Sequence, residues 1–172
     1  MIRKILLVLV LICLALPCFA RKSTSEEIIT PLTQLEKRQI QTRTFKSTDK
    51  QTVMKSLLNV YQDEGFMIYN ANPLLGFIFG SKDFDTSDPD IDISKEFGLS
   101  KGRLNVNGVK VATLETSANV TEYNETIRVR VNFKRKLLNI YGNAQFIEDV
   151  NEDTFYADFF EKLETAIILQ HK

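Results

Sequence analysis

The stretch TIRVRVNFK, Thr126 to Lys134, decides the fold. Ile127, Val129, Val131 and Phe133 alternate with Arg128, Arg130, Asn132 and Lys134. A strand through these residues has one apolar face and one cationic, polar face. A sheet built on it must bury the first face under something and leave the second to solvent or to a partner.

Reading outward, the neighbours supply both the sheet and its cover. TEYNE before it reads as a turn, and RLNVNGVKVATLETSANV before that contains Asn107-Gly108, a hairpin-turn signal. FMIYN (Phe66–Asn70) and LLGFIFGSK (Leu74–Lys82), joined by a turn, read as a hairpin. Gly76 and Gly80 there mark bends or a close approach of another backbone. A weaker strand is expected near Asn143–Ile147, and RQIQTRTF (Arg38–Phe45) alternates as a first strand.

Two amphipathic helices are predicted. Thr48, with Gln51 three residues on, has capping-box spacing; Val53, Leu57, Val60 and Tyr61 follow on one face, and Gly65 closes the helix. At the C-terminal end, Phe155, Phe159 and Leu163 line one face, flanked by Tyr156 and Phe160. Neither stripe can be buried alone. The expected fold is α+β and two-layered: an antiparallel sheet of about five strands with both helices packed on one face. Residues 1–20 read as a signal peptide, 21–36 as a flexible segment and 37–172 as a single domain.

The leader reading rests on Arg3 and Lys4, the apolar run Ile5–Leu16, and Cys18-Phe19-Ala20 as an A-x-A-like cleavage site. Cleavage after Ala20 predicts a periplasmic protein. It would remove Cys13 and Cys18, leaving no thiol, and 20 basic residues against 22 acidic. Retention of Cys18 as a lipidated first residue, in an outer-membrane lipoprotein, is the alternative. Asn119-Val-Thr121 and Asn124-Glu-Thr126 fit the glycosylation acceptor of a secreted eukaryotic chain. The near balance of charge gives no sign of nucleic acid. No later stretch is apolar enough to span a bilayer, so any membrane association is expected to be peripheral.

Little in the chain suggests catalysis. The one histidine is His171; with no mature cysteine, Ser-His-Asp, Cys-His and His/Cys zinc arrangements are not expected. There is no phosphate-binding glycine pattern. The run DFDTSDPDID, with Asp83, Asp85, Asp88, Asp90 and Asp92, offers hard oxygen ligands for calcium. In EF-hand register, however, Ile93 falls where glycine belongs and Leu99 where glutamate belongs, so a solvated acidic loop is the simpler reading. No cofactor is expected. The candidate partner-binding face is Arg128, Arg130 and Lys134, extended by Arg135 and Lys136 and joined by Arg43 and Gln41. A merely solvated outer face explains the same pattern.

Two segments carry a resemblance: Gln41–Asp83, with its Thr-Arg-x-Phe and Gln-Asp-x-Gly-Phe motifs, and Ile147–Leu169, with Tyr-x-x-Phe-Phe. They resemble a family of small Gram-negative envelope proteins, many of them lipoproteins. The helix followed by the GF-x-I rhythm is also similar in pattern to the BamC-type lipoprotein domain. The resemblance implies an envelope location and supplies no catalytic residues. The expected function is non-enzymatic binding of an envelope protein or an anionic envelope component. The alternative is a carrier of a small apolar, lipid-like ligand in a helix–sheet cavity.

Overall fold

The structure, a computed structural model, describes residues 32–46, 49–88, 92–97 and 108–170. The expectations for Met1–Pro31, Thr48, Asp90, Asn107 and His171 lie outside these residues.

The chain is α+β. In order it forms α1 (Gln34–Ile40), β1 (Thr42–Lys46), α2 (Lys50–Asp63), β2 (Met67–Asn72) and β3 (Phe77–Phe84). A short α3 (Ile93–Glu96) follows, then β4 (Val109–Tyr123), β5 (Thr126–Asn139), β6 (Ala144–Asp149) and α4 (Asp153–Gln170). The six strands make one antiparallel sheet in the order β1-β5-β4-β3-β2, with β6 also paired to β5.

The alternation in TIRVRVNFK holds and continues to Asn139. Ile127, Val129, Val131, Phe133 and Leu137 are buried, together with Ala112, Leu114, Ala118 and Val120 of β4. These residues form one core with Val53, Leu57, Val60 and Tyr61 of α2 and Tyr156, Phe159, Phe160 and Leu163 of α4. Both helices therefore lie on the same side of the sheet. Phe133 is the hub: its ring centroid stands 5.1 Å from both Phe155 and Phe159 and 5.7 Å from Tyr156. Lys162 on α4 donates to Glu64 at the end of α2, 2.6 Å away.

Local chemistry explains the ends. Asp49, not Thr48, caps α2, accepting from the Thr52 N–H at 2.8 Å. Gly65, at φ +82°, takes the left-handed position after the helix. Its N–H bonds Gln62 O, and the Phe66 N–H bonds Tyr61 O. The two-residue β4–β5 turn places Asn124 and Glu125 at φ 43° and 61°, the primed geometry that suits strand twist. Gly76 is the tightest point: a Cβ there would sit 2.0 Å from Val120 O, and one at Gly80 would sit 2.7 Å from Met67 O. Both glycines mark close backbone approach, as expected.

The N-terminal end differs from expectation. Residues 33–36 belong to a capped helix rather than a flexible segment, and the first strand starts at Thr42, not Arg38. Thr33 and Glu36 form a reciprocal capping box that starts α1. Tertiary bonding at Gln41 ends the helix and begins the strand: Gln41 O accepts from the Val131 N–H at 2.9 Å.

One edge of β5 serves two strands. β1 pairs with Thr126–Arg130 and β6 with Lys134–Leu138. Between them, the Phe133 N–H donates to Tyr156 Oη at 3.3 Å, Tyr156 Oη donates to Val150 O at 3.1 Å, and the Val150 N–H donates to Phe133 O at 2.9 Å. The phenol thus fills the gap in the ladder, and its burial raises its pKa above the ordinary tyrosine value.

Candidate functional site

Side chains directly opposite in a ladder share a face. Arg130 is opposite Thr42 and Asn119, Arg128 opposite Thr44 and Thr121, Asn132 opposite Ser117, and Lys134 opposite Glu115 and Asp149. All lie on the face away from α2 and α4, so the sheet places Arg128, Arg130 and Lys134 together, as their spacing implies.

Arg43 does not join them. Its opposite residue is Val129, on the helix side, and its guanidinium stands 5.2 Å from the centre of the Phe160 ring. Pairing register decides the facing of a short strand, and register is set by its partner. Arg135 also leaves the row. It is fully buried on the helix side, where its guanidinium takes both carboxylate oxygens of Glu152, at 3.1 and 2.5 Å, and lies 3.6 Å from Glu148. Burial opposes ionisation of Glu152, but Arg135's hydrogen bonds and charge outweigh it and hold the carboxyl below the ordinary glutamate value. This is a structural ion pair. Lys136 stays on the open face, 2.6 Å from Glu115.

The unexpected α1 builds the site. It packs beside β1 and α4 at the edge of the sheet, and a cleft of about 360 Å³ is lined by its Gln34 and Lys37 and by Arg130, Asn132, Lys134, Ser117 and Glu115 of the open face. Gln41 joins the two, accepting from Arg130 Nη2 at 3.2 Å while its amide nitrogen lies 3.5 Å from Tyr156 Oη. Arg130 Nε is buried and has no hydrogen-bond partner. Beyond α1 a shallower depression continues over the same face, lined by Arg38, Thr42, Asn119, Thr121, Arg128 and again Arg130.

The cleft's carboxylates have cationic neighbours. Glu115 accepts from Lys136, and Asp149 lies 3.7 Å from Lys134. Arg130, Lys37, Arg38 and Arg128 are therefore a cationic surplus on this face, in a chain whose formal net charge is zero. Such a site can hold an anionic group and hydrogen-bond the polar atoms beside it.

The acidic run is spent on local structure where it is described. Asp92 caps α3 through the Ser94 and Lys95 N–H groups, Asp85 accepts from Ser87, and Asp83 accepts from Thr113. Among the described residues no three acidic, histidine or cysteine side chains converge as a metal site, and no helix is long and apolar enough to cross a membrane.

A second recess of about 400 Å³ lies on the helix side. Phe66, Phe84, Leu114, Phe133, Phe155 and Phe159 line it, with Lys82, Lys95 and Lys162 at its margin.

No family model matches the chain, and no curated protein matches it. Among solved structures, a DUF4468 family protein from Bacteroides ovatus is similar at 12% identity, over 73% of this chain and 84% of that chain, with a TM-score of 0.37.

Proposed function

We propose that this is a non-enzymatic binding protein of the bacterial envelope, exported by its leader, which holds an anionic partner or envelope component in the cleft between α1 and the open sheet face. One observation carries the reading: Arg130, fixed by its bond to Gln41, lines the cleft together with Lys37 and Lys134. An incoming carboxylate or phosphate oxygen would meet the guanidinium with an ammonium group on either side. The leader pattern and the resemblance of two segments to Gram-negative envelope proteins support the location.

The test is an amide-shift titration of the labelled protein with glucuronate and with inorganic phosphate. Shifts should centre on Lys37, Gln41, Arg130 and Asn132, and Arg130→Gln should abolish them. Shifts scattered over the surface would sink the reading. Export is tested separately by the mass of the mature chain from a Gram-negative host. A chain starting at Arg21 agrees with it; a diacylglyceryl-modified Cys18 moves the protein to a membrane leaflet.

The phenylalanine-lined recess supports a second reading, a carrier of a small apolar ligand. Native mass spectrometry of protein from its own cells should then show added mass that Phe155→Ala removes. A clean apo mass would dispose of that reading.

A further inference from the structure

The cationic side chains of the open face form a line rather than a cluster. Arg128, Arg130 and Lys134 follow β5, and at roughly 3.4 Å per residue the six-residue interval from Arg128 to Lys134 spans about 20 Å. Lys37 and Arg38, adjacent on α1, line the clefts on its two sides, and Arg130 lines both. A single small anion cannot meet charges so far apart.

Apart from Glu115 and Asp149 beside Lys134, the polar side chains between the cations are neutral and hydrogen-bonding. Gln34, Ser117 and Asn132 stand on one side of α1, and Thr42, Asn119 and Thr121 on the other. Amides and hydroxyls among cations suit a ligand that alternates hydroxyl groups with negative charge. A nucleic-acid strand would want aromatic platforms for its bases. The ring beside Arg128, Tyr123, is already covered by that guanidinium, 4.7 Å from the ring centre, and Phe79, which also lines the cleft, packs beside Tyr69, so no run of open rings follows the cations. An acidic peptide adding to the sheet would need a free strand edge here, whereas this is the face of the sheet.

Resting on the reading of the cleft given above, we infer that the ligand is an acidic polysaccharide, one carboxylated strand of which lies along β5 and crosses α1 at Arg130. The Lys134–Asp149 contact is long and half-exposed, so Lys134 turns to the ligand at little cost.

The experiment compares polygalacturonate, monomeric galacturonic acid, neutral dextran and polyphosphate by calorimetry on the full mature chain. Polygalacturonate should bind at least about tenfold more tightly per site than the monomer, with log affinity falling against log salt at a slope of about −2 to −3, as several released counterions require. Arg128→Ala, which lies outside the cleft, should weaken the polymer several-fold and leave the monomer unchanged; Arg130→Gln and Lys134→Ala, both in the cleft, should weaken both. Circular dichroism confirms that the variants fold. Equal affinity for monomer and polymer, with Arg128→Ala silent, overturns the polysaccharide assignment and leaves the cleft reading standing. Polyphosphate binding as tightly as polygalacturonate also overturns it. Failure of every anion to bind overturns both.

Discussion

At the scale of single residues, the same side-chain type does opposite work a few positions apart. Arg130 stands on the open face, whereas Arg135 is sealed on the helix side between Glu148 and Glu152. Removing one partner of such a pair strands a buried charge, which typically costs about 3–5 kcal/mol, more than replacing the whole pair with apolar residues. Glu152→Gln should therefore lower the urea midpoint, and Glu148→Gln combined with Glu152→Gln should lower it further, because Arg135 then faces neither carboxylate. Acid should act similarly. The folded carboxyl of Glu152 titrates below its ordinary value of 4.5, so its contribution is complete above that value and is lost as pH falls through the lower folded one. Urea midpoints at neutral pH and in acid should differ less in Glu152→Gln than in the wild type. Strict alternation from Ile127 already placed Arg135 on the buried side, and only its charge argued for the other face. The glutamates that make burial tolerable lie 13 and 17 residues further on, so nothing local in the sequence revealed them. Gly76→Ala is a separate prediction. Its φ of +72° and the nearby Val120 carbonyl should together cost more than the roughly 1–2 kcal/mol of a left-handed alanine alone, seen as a lower melting temperature.

At the scale of elements, periodicity found what tertiary packing also requires. The stripes of α2 and α4 and the alternation of β5 were legible because each is long and one-sided. α1 was not, because its seven residues bury nothing and its sequence QLEKRQI runs into an alternating stretch. The candidate site inherits this: the cationic row was visible, but the helix that turns part of it into a cleft was not, and the misplacement of Arg43 followed from the unknown register of β1. Tyr156 is the element-scale device that no pattern announced. Its hydroxyl serves β5 and the segment after β6 together. Tyr156→Phe should cost about 1–3 kcal/mol, because the Phe133 N–H and Val150 carbonyl both lose a partner in a dry site. Hydrogen exchange should show the Phe133 amide losing protection before those of β4. Unchanged protection there would count against the hydroxyl's bridging role.

At the scale of the whole molecule, the two sheet faces divide the work. One is sealed by α2 and α4 around Phe133; truncating that centre with Phe159→Ala should cost about 3–5 kcal/mol and shift the thermal midpoint without selectively changing ligand affinity. The other carries surplus positive charge, so reversing the exposed Arg128 to glutamate should leave stability nearly unchanged and weaken binding of an anionic polymer. Loss of stability in that variant would mean that the open face contributes to folding rather than recognition.

The shared edge of β5 has a consequence for the order in which the molecule is made. The strand that opens the domain and the segment that closes it abut on one seam, and the phenol that joins them comes from the last helix. A growing chain reaches Val150 with its central hairpin complete but the seam open and Phe133 without its α4 neighbours. Such a chain has no finished state to settle into until its tail arrives. A version ending at Val150 should show no cooperative melting; a sharp transition in that truncated chain would refute the dependence.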